Sequence, residues 1–187
     1  MSQPLILSLS PRASGNSDMA AACFAAALPR TVPVRYLRDF TVLPCLGCGA
    51  CSSTGQCVLA AQDQAEELFT ALDQASAVVL TGPVYFYHLP AQAKAWIDRS
   101  QSRYMRRHIQ PRLTTTQRRA AAVIVAGRPQ GARLCTGIER TLRYFLDIFD
   151  YRLEETLCLR GLDERTALQT SPTSLAAITA LARHGTW

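Results

Sequence analysis

The densest group of reactive side chains in this sequence is Cys45, Cys48, Cys51 and Cys57, spaced C-x2-C-x2-C-x5-C. Compact C-x2-C-x2-C runs are iron–sulfur signatures, because closely spaced thiolates reach separate irons of one cuboid cluster. Gly47 and Gly49 keep the segment out of a helix and leave N–H groups free to bond the sulfurs, which raises a cluster's reduction potential. A [4Fe–4S] site is the preferred reading. Zinc is weaker, since structural zinc usually takes two separated pairs of ligands. Free or redox-active thiols stay open, and disulfides are disfavoured in a reducing compartment. Cys23, Cys135 and Cys158 stand alone in expected helices and strands and read as buried, inert thiols.

A second constellation is Ser10-Pro11-Arg12-Ala13-Ser14-Gly15-Asn16-Ser17. It follows the apolar run Leu5–Leu9 and precedes an Ala-rich helical segment, so it reads as strand, polar loop, helix, with Asn16 or Ser17 as N-cap. A helix N-terminus offers unpaired N–H groups and partial positive charge, which favour an anion. Ser10, Ser14, Asn16 and Ser17 can add side-chain donors, Arg12 can approach a dianion, and Gly15 permits close backbone contact. The glycine patterns of dinucleotide and triphosphate loops are missing, so a terminal monophosphate fits best.

These groups need a scaffold, and the hydrophobic pattern supplies one. Strands are expected at 5–9, 32–37, 77–80, 120–126 and 152–159. Helices are expected at 19–28, 64–75, 91–100, 131–150 and 174–183. Uniformly apolar strands alternating with helices imply a parallel sheet covered on both faces. Five such units suit an α/β doubly wound five-stranded sheet of order 2-1-3-4-5, one domain over 1–187 with a cysteine-rich insertion at about 44–58. Ligands in that architecture sit at the carboxyl ends of the strands, here the loops after the first, third and fourth.

The loop Ser10-Pro11-Arg12-x-x-Gly15-Asn16-Ser17 resembles the FMN-phosphate loop of the flavodoxin-like NAD(P)H-dependent FMN reductases. The segment Gly82-Pro83-Val84-Tyr85-Phe86, followed by Ala91–Arg99, is similar to their isoalloxazine cradle. The resemblance implies FMN held by the phosphate loop, by Pro83 and Val84 turning backbone amides toward the ring, and by Tyr85 and Phe86 shielding a face. It also implies that the segment from Gly127 to Gly131 closes the site, with Arg128 an unusual charge there. The cysteine segment resembles that of the iron–sulfur flavoproteins, in which a [4Fe–4S] cluster exchanges electrons with FMN. Where those often carry Asp-Asp-Met, this chain has Ala61-Gln62-Asp63-Gln64. The implied activity is FMN-dependent oxidoreduction linked to NAD(P)H or ferredoxin, by a homodimer or homotetramer. Two alternatives stand beside it: a non-catalytic electron carrier, and an FMN or quinone reductase whose cysteines hold no cluster. His88, just past the flavin loop, could relay a proton, although a lone His is more often structural.

Composition narrows the classes further. Apolar residues are 48% and charged residues 18% of 187, which is globular rather than disordered. No apolar run approaches the roughly 18 residues of a membrane span, and no secretory leader is expected, so a cytoplasmic protein is expected. The net charge is +6, with Lys94 the only lysine. From Arg99 to Ile138 there are nine arginines and no acid, a stretch that should attract an anion or an acidic redox partner, or else form a solvated face or a subunit contact. It matches no nucleic-acid motif and carries few aromatics for base stacking.

Overall fold

A computed structural model describes residues 2–110 and 116–187. Its sheet has five parallel strands, β1 (Leu5–Ser8), β2 (Val34–Tyr36), β3 (Ala77–Pro83), β4 (Arg118–Val125) and β5 (Tyr151–Leu159). They lie in the order β2-β1-β3-β4-β5, the expected flavodoxin-like arrangement. Side chains alternate across a pleated strand, so each apolar run feeds two cores. Leu5, Leu7, Val78, Leu80, Ala120, Ala122 and Ile124 face one layer. Ile6, Val79, Ala121, Val123 and Val125 face the other.

The first layer holds α3 (Ala65–Gln74), α4 (Ala91–Arg99) and α6 (Thr136–Asp147), which bury Phe69, Trp96 and Phe145 together with Phe149. Their rings stack or meet edge-on at centroid separations of 4.9–5.8 Å. The opposite layer holds α1 (Asn16–Ala26) and α7 (Pro172–Arg183), which bury Phe24, Ile178 and Leu181. Two helices were not anticipated: α2 (Cys51–Thr54), inside the cysteine segment, and α5 (Gln101–Ile109), which packs on it. The helix expected from 131 begins only at Thr136, because Gly131 (φ 141°) and Arg133 (φ 64°) take left-handed backbone. No described helix is long and apolar enough to cross a membrane.

Two expectations need correction. Cys135, just before α6, and Cys158, on β5, are not separate thiols; they form a disulfide with Cα atoms 6.3 Å apart. The fold brings to one place residues 23 positions apart in sequence. The second concerns the arginine-rich stretch, which mostly turns inward. Arg99 pairs with Asp63, Arg103 with Glu66 and Asp73, Arg107 with Asp150, and Arg119 with Glu154. Acids distant in sequence, on α3, β5 and the loops, neutralise it. Arg112 lies outside the described residues.

Arg118 shows why guanidinium is used here. Its Nη1 donates to the carbonyls of Leu72 (3.3 Å), Asp73 (2.8 Å) and Ala75 (2.6 Å) at the C-terminus of α3. Its Nη2 donates to Phe149 O at 2.7 Å, and the group lies 4.1 Å from the Tyr151 ring centroid. Together with the Tyr151 hydroxyl, which donates to Leu72 O and Ala75 O, Arg118 satisfies carbonyls that the helix end leaves orphaned. Arg118→Met keeps the apolar stem and removes the fork. It should lower unfolding free energy by about 1.5–3 kcal/mol, the range for hydrogen bonds to a charged group. Urea denaturation checks this; an unchanged midpoint refutes the capping role.

Candidate functional site

At the carboxyl ends of β1, β3 and β4, Ser10, Arg12, Gly15, Asn16, Ser17, Pro83, Val84, Tyr85 and Gly127 all line one cavity of about 110 Å³. Leu162, Asp163 and Arg165, from the loop after β5, complete it and were missed from sequence. Ser14 is not among the lining residues. A second cavity of about 310 Å³ shares Val84 and Gly127 and adds Phe86, Tyr87, Ala126, Arg128 and Leu134. A small polar chamber at a helix N-terminus therefore adjoins a larger, mostly apolar one.

The loop's shape is set from below by Asp18, in the first turn of α1. Its carboxylate accepts from Ser8 Oγ (2.7 Å), the Ser14 N–H (2.8 Å) and Arg38 (2.9 and 3.0 Å). Arg38 also donates to Ser10 O at 3.3 Å. A carboxylate beneath an anion site would repel the anion, but the Arg38 guanidinium cancels that charge while its bonds fix the loop.

Three sequence expectations change at this site. The N-cap is Gly15, not Asn16 or Ser17. The Asn16 amide donates instead to Leu162 O (3.1 Å) and Glu164 O (2.7 Å), and its carbonyl accepts from the Leu168 N–H (3.0 Å). Both Asn16 side-chain donors are spent on tying the loop after β5 to the phosphate loop, so they are not available to an anion. Pro83 has no N–H, and the Val84 N–H donates to Val125 O at 2.8 Å, extending the sheet rather than facing a ligand. Tyr85 and His88 bond each other's backbone across a tight turn in which Phe86 (φ 48°) and Tyr87 (φ 61°) are left-handed. That turn pushes Phe86 fully into solvent and leaves Tyr85 38% exposed, so neither is core packing.

Tyr87 accepts a hydrogen bond from Arg128 Nη1 at 2.9 Å on its hydroxyl, which places a guanidinium at the edge of the apolar chamber. His88 is not poised to relay a proton. Its Nε2 meets Thr141 Oγ1 at 3.0 Å, and burial, helped by nearby Lys94, lowers its pKa from the usual value.

Cys45, Cys48, Cys51 and Cys57 line a separate cavity of about 220 Å³, together with Leu46, Val58, Leu59 and Arg99. Gly47 (φ 63°) and Gly49 (φ 73°) are left-handed, and the Gly47 N–H donates to Cys45 Sγ at 3.5 Å. Gly55 is required by packing: a Cβ there would lie 3.0 Å from Arg106 Cβ, and Arg106 donates to Gly55 O. Burial raises the Cys51 thiol pKa above the usual value, and the Cys57, Cys45 and Cys48 sulfurs push the same way. No group of three or more His, Cys, Asp or Glu among the described residues is arranged for a single metal ion. Thiolates on a cuboid cluster each take a different iron, so they enclose a space rather than meet at a point, and this donor set fits that demand.

A family model described as NADPH-dependent FMN reductase matches residues 4–155. The chain belongs to this family. Among curated relatives, an iron–sulfur flavoprotein from Archaeoglobus fulgidus is 42% identical over 55 residues, 29% of this chain and 24% of that protein. One from Methanosarcina thermophila is 35% identical over 65 residues, 35% of this chain and 33% of that protein. These matches thus span a third or less of the relatives' length. Solved structures share the fold of this FMN reductase family member at low identity. The Trp repressor binding protein from Bacillus subtilis has a TM-score of 0.67 at 13% identity, covering 98% of this chain and 100% of that one. An FMN-dependent NADH-azoreductase from Bacillus anthracis, in complex with FMN, has a TM-score of 0.66 at 13% identity, covering 97% and 98%.

Gly127 joins the two chambers, and any side chain there must displace Asp163. A Cβ there would lie 2.3 Å from Asp163 Oδ1. Gly127→Ala should therefore weaken FMN binding at least tenfold by displacing the loop after β5. Asp163→Gly in the same chain should restore part of that loss. Flavin fluorescence titration of the two single variants and the double checks this; purely additive effects refute the steric account.

Proposed function

We propose that this protein is an FMN-dependent oxidoreductase, supplied with electrons by NAD(P)H or a ferredoxin, that carries a [4Fe–4S] cluster on Cys45, Cys48, Cys51 and Cys57. The observation that carries the FMN part is the polar chamber at the α1 N-terminus opening onto an apolar one of ring-sized volume. The cluster part rests on four cysteines around one cavity and on the names of the partial relatives. In this reading one flavodoxin-like unit bears both sites.

When bound, FMN supplies two-electron or one-electron chemistry and the cluster one-electron chemistry, so together they convert between the modes. The chain's own part is binding and electrostatics. Arg12, the Ser17 hydroxyl and the first-turn N–H groups of α1 would hold the phosphate, because charge-assisted bonds and the helix dipole act on the same anion, while the Ser10 hydroxyl donates to Arg12 O and shapes the loop. Val84, Ala126 and Leu134 would exclude water along the ring, and Tyr85 and Phe86 would cover its open side. Arg128 would place positive charge where reduction adds negative charge.

A non-catalytic carrier finds less support, since Arg99, Arg103, Arg107 and Arg119, which could dock an acidic partner, are already ion-paired within the chain. Steady-state oxidation of NADH or NADPH with a quinone acceptor separates the readings, because only an enzyme saturates. Protein purified anaerobically should release FMN, not FAD, on denaturation. Arg12→Ala should weaken FMN binding by about 1.5–3 kcal/mol and riboflavin binding by less. Calorimetric titration with both ligands checks this, and equal losses refute the phosphate assignment. Each Cys→Ala change among the four should remove iron while FMN stays bound. Flavin without iron, after attempted reconstitution with iron and sulfide, overturns the cluster.

A further inference from the structure

The cysteine cavity has one charged wall. Of the residues that line it, Arg99 alone carries a formal charge apart from the thiols themselves. Its side chain and that of Asp63 are both fully buried. Arg99 Nη1 donates to Asp63 Oδ2 and to Leu43 O (3.1 Å), and Nη2 donates to Asp63 Oδ1 at 3.2 Å. Asp63 is itself held by the Leu43 N–H (2.8 Å) and the Ala65 N–H (3.2 Å), from the two flanks of the cysteine segment. The guanidinium thus cannot swing away.

Its Nε–H, however, is buried and has no hydrogen-bond partner. A guanidinium has five N–H donors in a fixed fork, and burying one unmet is unfavourable unless an acceptor arrives. The cavity beside it is lined by the four sulfurs, by apolar Leu46, Val58 and Leu59, and by the uncharged polar side chains of Ser52, Gln101 and Ser102. Four thiolates around a [4Fe–4S] core leave it anionic, and one-electron reduction makes it more so. Net charge and hydrogen bonds to the sulfurs are what set a cluster's potential.

We propose that Arg99, clamped by Asp63, is the potential-setting residue of this cavity, its fixed positive charge and free Nε–H raising the reduction potential of a cluster held by Cys45, Cys48, Cys51 and Cys57. The inference rests on the cluster reading above and adds to it a charge that selects the reduced state. Lysine does not substitute, because a point charge cannot keep the Asp63 fork and offer a further donor together.

The test is an anaerobic redox titration of the holoprotein, following the cluster by EPR and the flavin by absorbance. Arg99→Gln combined with Asp63→Asn keeps a hydrogen-bonded pair while removing both buried charges. It should lower the cluster midpoint by at least a tenfold change in the reduction equilibrium, about 59 mV for one electron. The flavin midpoint should not move. Arg99→Lys, which keeps the charge, should restore part of the shift, and it carries the test if the double variant does not fold. A cluster midpoint equal to wild type in whichever variants fold overturns the inference and leaves the cluster standing. Wild-type protein that takes up no iron on reconstitution overturns both.

Discussion

A buried ion pair decides whether the cysteine segment is part of this protein or merely attached to it. Arg99 ends α4 and Asp63 precedes α3, so their contact joins two helices of the same core layer. The same two residues hold both main-chain groups of Leu43, just before the cysteines. Burial opposes the Asp63 carboxylate, yet the bonds from Arg99, Leu43 and Ala65 more than offset it and keep its pKa below the usual range. Burial likewise opposes the Arg99 charge, and Asp63, with the neighbouring Cys57 sulfur, reverses the sign. Breaking one side of such a pair typically costs about 3–5 kcal/mol, because the other charge is stranded. The cysteine cavity therefore inherits its rigidity from the α/β body.

The flavin end is built on the same logic with different groups. Asp18 and Arg38 neutralise one another beneath the phosphate loop and spend their hydrogen bonds on its backbone. Asn16 ties that loop to the segment after β5, which brings Asp163 and Arg165 to the chamber. Polar side chains near the cavity thus divide into those that hold the backbone and those that face the ligand. Residue type alone does not separate these classes: Asn16, Ser10 and Ser17 are all plausible phosphate donors, but the Asn16 amide is consumed by the loop after β5 and the Ser10 hydroxyl donates to Arg12 O at 3.0 Å.

Local patterns in the chain were enough to place the sheet, its order and the loops that carry chemistry. Strand and helix periodicities are properties of short windows, and parallel strands joined by helices leave few topologies. The spacing of the four cysteines carried their convergence on one cavity for the same reason: thirteen residues with three left-handed glycines cannot take them far apart. Asp63 stood in the sequence only within a departure from the Asp-Asp-Met pattern, and neither its role nor its partner Arg99 was legible there.

What the sequence could not decide was pairing at a distance. Cys135 and Cys158 read as isolated thiols until α6 and β5 brought them together. The nine arginines from Arg99 to Arg133 read as an anion-seeking surface, yet acids from α3, β5 and the loops turn several of them into internal clasps. The Val84 N–H read as a donor to the flavin until β4 supplied Val125 O. Propensity and periodicity are written within a turn or a strand of the residue concerned. A hydrogen bond or ion pair between distant segments is determined only when packing places both partners within about 3 Å and excludes the water that would otherwise serve each.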